Sequence, residues 1–99
     1  MVKRKVIWSP RAKNDLISIL DYYVRRNGSK TYSIKLNKTL RNTIRLLHDH
    51  PEIGVKSDVQ RVRNLIQGDF GIFYEIKRDI IEIVMIWDSR QDPEKKMLK

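Results

Sequence analysis

The sequence predicts an α+β domain: a small antiparallel sheet carrying a two-helix hairpin on one face, in the order β-α-α-β-β-β. Three observations lead there. Apolar residues recur at three- and four-residue steps from Ala12 to Leu47. After Pro51 the period changes to two. A short β-branched and aromatic run precedes the first helical stripe.

Lys3 to Trp8 reads as the first strand, because Val6, Ile7 and Trp8 suit a pleated, half-buried surface. Ser9 can cap exposed backbone N–H groups, and Pro10 fits the first helical position, where its missing N–H would be unpaired anyway. Ala12, Leu16, Ile19, Leu20, Tyr23 and Val24 form the apolar stripe, and Gly28 ends the helix. Ser29 is expected to cap a second helix with the stripe Tyr32, Leu36, Leu40, Thr43, Ile44 and Leu47. Lys35, Lys38, Arg41 and Arg45 run beside it as a basic row. Pro51 to Gly54 is a turn. Three strands follow as a meander: Gln60 to Ile66, Phe70 to Lys77 and Ile80 to Asp88, joined at Gly68-Asp69 and Lys77-Arg78-Asp79. Arg61, Arg63 and Leu65 are expected to share one face of the first of these. Trp87 is expected to continue the alternation of Ile81, Ile83 and Met85. Residues 93–99 form a short basic tail, and residues 1–99 make a single domain.

The net charge of +9 is unevenly placed. Residues 1–50 hold twelve Lys/Arg against three Asp/Glu, whereas residues 51–99 are balanced. Such asymmetry suits a polyanionic partner, either nucleic acid or an acidic protein, or serves as a solubilising surface. There is no cysteine, so disulfides and thiolate metal sites are excluded. No apolar run is long enough to span a bilayer, and no signal segment follows the basic start. No glycine-rich phosphate loop is present, and His48 and His50, two apart on a helix, face different ways. No metal or cofactor is expected.

Chemistry therefore rests on arginines, lysines, carboxylates and Tyr74. Arg61, Arg63 and Arg90 are the candidates, since a guanidinium presents a planar donor fork to phosphate oxygens. If the ends of the meander meet, Arg63 and Arg90 share one concave surface. The alternative is structural: Arg63 paired with Glu75, Glu82 or Asp88, and Arg90 with Asp92.

The ordered set Trp8-Ser9-Pro10-Arg11-Ala12, Asp15-Leu16, Asp21-Tyr22, Leu46-Leu47, Pro51-Glu52-Ile53-Gly54, Val62-Arg63-Asn64-Leu65, Gly68, Ile72 to Ile76 and Ile83 to Pro93 resembles the RelE/ParE superfamily. These are toxins of bacterial type II toxin–antitoxin systems. The resemblance implies a β-α-α-β-β-β fold, growth inhibition, a bacterial cytoplasmic location and a cognate acidic antitoxin. It implies one of two activities. RelE-like members are ribosome-dependent mRNA endonucleases, in which the ribose 2′-OH attacks the adjacent phosphate; ParE-like members inhibit DNA gyrase and cleave no RNA. By resemblance, Arg63 falls at a phosphate-binding arginine on the second strand and Arg90 at the arginine after the last strand, with Lys56 and Arg61 near further basic positions. Where some endonuclease members carry a histidine or tyrosine as acid or base, this sequence departs from them with Trp87, Asp88 and Lys96, of which Asp88 can accept a proton. The endonuclease is the expected activity because both arginines fall where that chemistry needs them, with gyrase inhibition as the alternative.

Overall fold

The computed structural model describes residues 4–90. The tail 93–99, with Lys96, and Asp92, expected as a partner of Arg90, lie outside them. The elements are β1 (Lys5–Trp8), α1 (Pro10–Asn27), α2 (Thr31–Arg45) with a single 3-10 turn at Leu46–His48, β2 (Val55–Lys56), β3 (Val62–Gln67), β4 (Phe70–Ile76) and β5 (Ile80–Asp88).

Local chemistry accounts for the helix ends. Ser9 caps α1, its Oγ accepting from the Ala12 N–H, and Pro10 sits in the first turn. Gly28 closes α1 with φ +66°, and its N–H donates to the Val24 carbonyl. α2 begins one turn residue later than expected: Ser29 accepts from the Thr31 N–H, and Lys30 holds the cap position. The helical hairpin is pinned by the Ser33 hydroxyl, which donates to the Leu20 carbonyl.

The sheet has five strands in the order β1-β5-β4-β3-β2. It is mixed, which corrects the expected all-antiparallel sheet: β1 pairs parallel to β5, with Trp8 opposite Ile83, while every other pair is antiparallel. The helical hairpin between β1 and the meander supplies the long crossover that a parallel neighbour requires. β2 was not expected; its two residues pair with Arg63 and Asn64. The strand expected to start at Gln60 starts at Val62, because Arg61 takes φ +71° and makes a turn.

Both helices lie on one face. Leu16, Ile19, Tyr23, Leu36, Leu40, Ile44 and Leu47 pack against Leu65, Ile72, Tyr74, Ile81, Ile83 and Ile86. Each such buried side chain contributes about 1.5–3 kcal/mol. A smaller cluster of Val62, Phe73 and Met85, joined by Val59 and Trp87, occupies the other face. Here the expected alternation along β5 fails. The register shifts between Phe73, opposite Met85, and Tyr74, opposite Ile83, leaving Val84 as an extra residue. This β-bulge turns Met85 and Trp87 away from the helices and Ile86 towards them.

Beyond Trp8, β1 no longer covers β5, and α1 takes over. The Ser9 N–H donates to the Ile83 carbonyl and its hydroxyl to that of Val84. The Asp15 carboxylate accepts from the Ile86 N–H at 3.0 Å, and the Tyr23 hydroxyl donates to Asp88. Successive turns of α1 thus fix the path of β5 to its polar end.

Candidate functional site

The candidate site residues fall into two groups at opposite ends of the sheet. At one end, the β2–β3 hairpin carries Lys56 directly opposite Arg63. Lys56, Arg61 and Arg63 line a cavity of about 280 Å³ together with Ser57, Val59, Gln60 and Val62. The left-handed backbone at Arg61 turns its side chain towards this wall, at a strain cost of about 1–3 kcal/mol. Ser57 holds the loop by bonds to the carbonyls of Val59 and Val62.

Arg63 does not reach a carboxylate of a neighbouring strand. Its Nη1 donates to the Gly54 carbonyl at 2.8 Å and to that of Glu52 at 3.3 Å. Behind it stands Tyr74, fully buried. The Tyr74 hydroxyl donates to the Pro51 carbonyl and accepts from the Gly54 N–H. Burial raises the Tyr74 pKa, against the opposing pull of the Gly54 bond and the Arg63 charge. With both hydrogen-bonding capacities engaged, this phenol is a brace for the turn.

At the other end, Asp88 and Arg90 close the sheet against the helices. Asp88 is 1 % exposed. It accepts from the Tyr23 hydroxyl at 2.5 Å, the Arg90 N–H at 2.9 Å and Arg90 Nε at 3.2 Å. The guanidinium lies over the Tyr23 ring at 4.7 Å and near the Phe70 ring at 5.3 Å. It also faces Asp69 at 3.6 Å and Tyr32 Oη at 3.5 Å. Burial and the bond to Asp88 push the Tyr23 pKa well above the ordinary phenol value. Burial works against the charge on Arg90, yet the bonds to Tyr32 and Asp88 win and raise its pKa.

Arg63 and Arg90 are therefore not brought together. Arg63 is level with Tyr74 and, through it, with Ile83. Arg90 follows the end of β5 at Asp88, five strand residues or about 16 Å beyond Ile83 at about 3.3 Å per residue, and β5 lies two strand spacings of about 4.8 Å from β3, which together put the two arginines roughly 20 Å apart. Asp88 belongs with Arg90, and Lys56 and Arg61 belong with Arg63. Sequence reasoning missed the aromatic setting of Arg90. The signal was present as Tyr22-Tyr23 and Tyr32, placed on either side of the Gly28 turn.

Asp15 is half-buried between α1 and β5, and burial raises its pKa despite the Ile86 N–H and the Arg11 charge. Between the unfolded value of 3.8 and the raised native value, the folded chain binds more protons. Stability contributed at this group is thus greatest below 3.8 and falls as pH rises through the native value. Asp15→Asn, which keeps an oxygen for the Ile86 N–H, is expected to flatten that slope and to be at least as stable as wild type at pH 7. Denaturant melts at pH 3 to 7 check this.

Residues 6–93 match the model of the ParE toxin of type II toxin–antitoxin systems, parDE. The chain belongs to the ParE toxin family. A solved structure described as a chromosomal ParDE toxin–antitoxin system from P. aeruginosa is similar to it, with 25% identity and a TM-score of 0.76 over 85% of this chain and 94% of the other. No curated protein matches the sequence. As a ParE-family toxin the chain has an antitoxin for a partner. Among the described residues no helix is long and apolar enough to cross a membrane.

Proposed function

We propose that this ParE-family toxin stops growth by binding DNA gyrase, and that it does not cut RNA. The separation of Arg63 from Arg90 carries this reading. Transesterification at a single phosphate calls for cationic groups converging within hydrogen-bond reach, along with a positioned proton acceptor. Two arginines roughly 20 Å apart cannot serve one phosphate. Tyr74 is engaged on both sides by the 51–54 turn. Asp88 is buried beneath Tyr23 and Arg90, away from the cavity that holds Arg63. In the proposal, Lys56, Arg61 and Arg63 form a cationic patch that engages the target, while Asp88 and Arg90 maintain the fold.

One observation favours the endonuclease reading instead. Lys56, Arg61 and Arg63 surround one cavity, which suits an RNA phosphate if the ribosome supplies the remaining groups. Induction in cells lacking the antitoxin separates the two. Growth arrest with accumulating DNA breaks and unchanged mRNA half-lives is expected. Shortened mRNA half-lives over intact DNA would overturn the proposal.

A further inference from the structure

A cavity lies at the junction of both helices with the end of β5. It measures about 310 Å³ and is lined by Tyr22, Tyr23, Arg26, Asn27, Tyr32, Asp88 and Arg90. Its walls are rings: Tyr23 stands edge-on to Tyr22 at 4.8 Å and to Tyr32 at 5.0 Å. Its rim carries donors. The Tyr22 hydroxyl accepts from Arg26 Nη1 at 3.2 Å, and the Tyr32 hydroxyl accepts from Arg90 Nη2. Each hydroxyl accepts from a guanidinium, so its own proton is left to donate, and the neighbouring cation polarises it. Tyr23, by contrast, spends its proton on Asp88.

From this arrangement we propose that the cleft is a carboxylate-binding subsite, which takes one Asp or Glu side chain from an acidic segment of the protein partner. The inference deepens the toxin–antitoxin reading, on which its choice of partner rests. Charge selects a carboxylate over a phosphate. Arg26 and Arg90 bring two positive charges, and Asp88 and Asp69, which both pair with Arg90, bring two negative ones, so the near-neutral cleft penalises a phosphate dianion more than a carboxylate. Size selects one side chain: the volume is at the lower end for ligand cavities, about 300–1,000 Å³. The exposed rings of Tyr22 and Tyr32 suit the apolar stem of Glu or a neighbouring apolar residue. The first half of the chain, which holds all the excess positive charge, supplies most of the lining and would steer an acidic segment there.

Two measurements test the subsite and its partner separately. The first titrates the toxin with acetyl-Leu-Glu-amide, acetyl-Leu-Gln-amide and adenosine monophosphate while following the Tyr22 and Tyr32 ring signals by NMR. A saturable shift with the Glu peptide alone is expected, weakened about tenfold in Arg26→Gln. No shift, an equal shift with the Gln peptide, tighter binding of the nucleotide or an unchanged Arg26→Gln response would each overturn the subsite. The second measures binding of the antitoxin. Arg26→Gln is expected to weaken it about tenfold, and Arg25→Gln, which breaks only the exposed pair with Asp21, to leave it unchanged. If Arg26→Gln and Arg25→Gln bind alike, the partner assignment fails. If wild type binds no antitoxin at all, the toxin–antitoxin reading fails, and the peptide titration still decides the subsite.

Discussion

Arg90→Ala is expected to destabilise the folded chain by about 3 kcal/mol. The cause is Asp88, whose side chain has no exposure and relies on Arg90 and Tyr23 for its hydrogen bonds. Removing the guanidinium leaves the buried carboxylate its bonds from Tyr23 and the N–H of residue 90 but takes away its charge partner, and breaking a buried pair costs about 3–5 kcal/mol. The lower end applies because the Arg90 side chain is itself 43% exposed, so water already screens part of the pairing. The aromatic contacts with Tyr23 and Phe70 are lost as well. Combining it with Asp88→Asn removes the stranded charge. The double mutant is then expected to be more stable than the sum of the single losses, by about 1 kcal/mol or more. Urea melts of the four proteins check this, and strictly additive losses would contradict it.

Gly54→Ala is expected to cost about 2 kcal/mol through a clash rather than through backbone strain. A Cβ at residue 54 would lie 2.7 Å from both Cε1 and the hydroxyl oxygen of Tyr74. The ring cannot withdraw, because it is fully buried and held by bonds to Pro51 and Gly54. Overpacking of this kind costs about 1–3 kcal/mol. Tyr74→Phe is expected to cost a similar amount, since it leaves the Gly54 N–H and the Pro51 carbonyl without their partner. Gly71→Ala is the milder comparison: its Cβ would meet the Asn64 amide oxygen, which sits at the end of a rotatable side chain. Thermal melts that rank Gly71→Ala as the worse substitution would contradict the role given to Tyr74.

Much of this architecture was legible in the residues. Ser9-Pro10 and Gly28 bound α1 because capping is a local matter of one hydroxyl, one missing N–H and one left-handed residue. β5 runs from Ile80 to Asp88 as its apolar pattern implied. What was not legible depends on long-range partners. Periodicity carries no strand direction, so the parallel pairing of β1 with β5 stayed hidden. The bulge at Val84 arises from matching β4 to β5, and no single residue of VMIW announces it. The position of Arg90 is set by Tyr23 and Tyr32, which lie more than fifty residues away along the chain. That is why Arg63 and Arg90 look like a pair in the sequence and stand at opposite ends of the sheet.

The proposed mode of action is tested most directly by adding the purified toxin, in parallel, to a DNA gyrase supercoiling reaction and to a translating extract. Blocked supercoiling with accumulated cleaved plasmid, beside intact mRNA, is the expected result. Normal supercoiling at excess toxin, together with mRNA cleavage that Arg63→Ala abolishes, would contradict it.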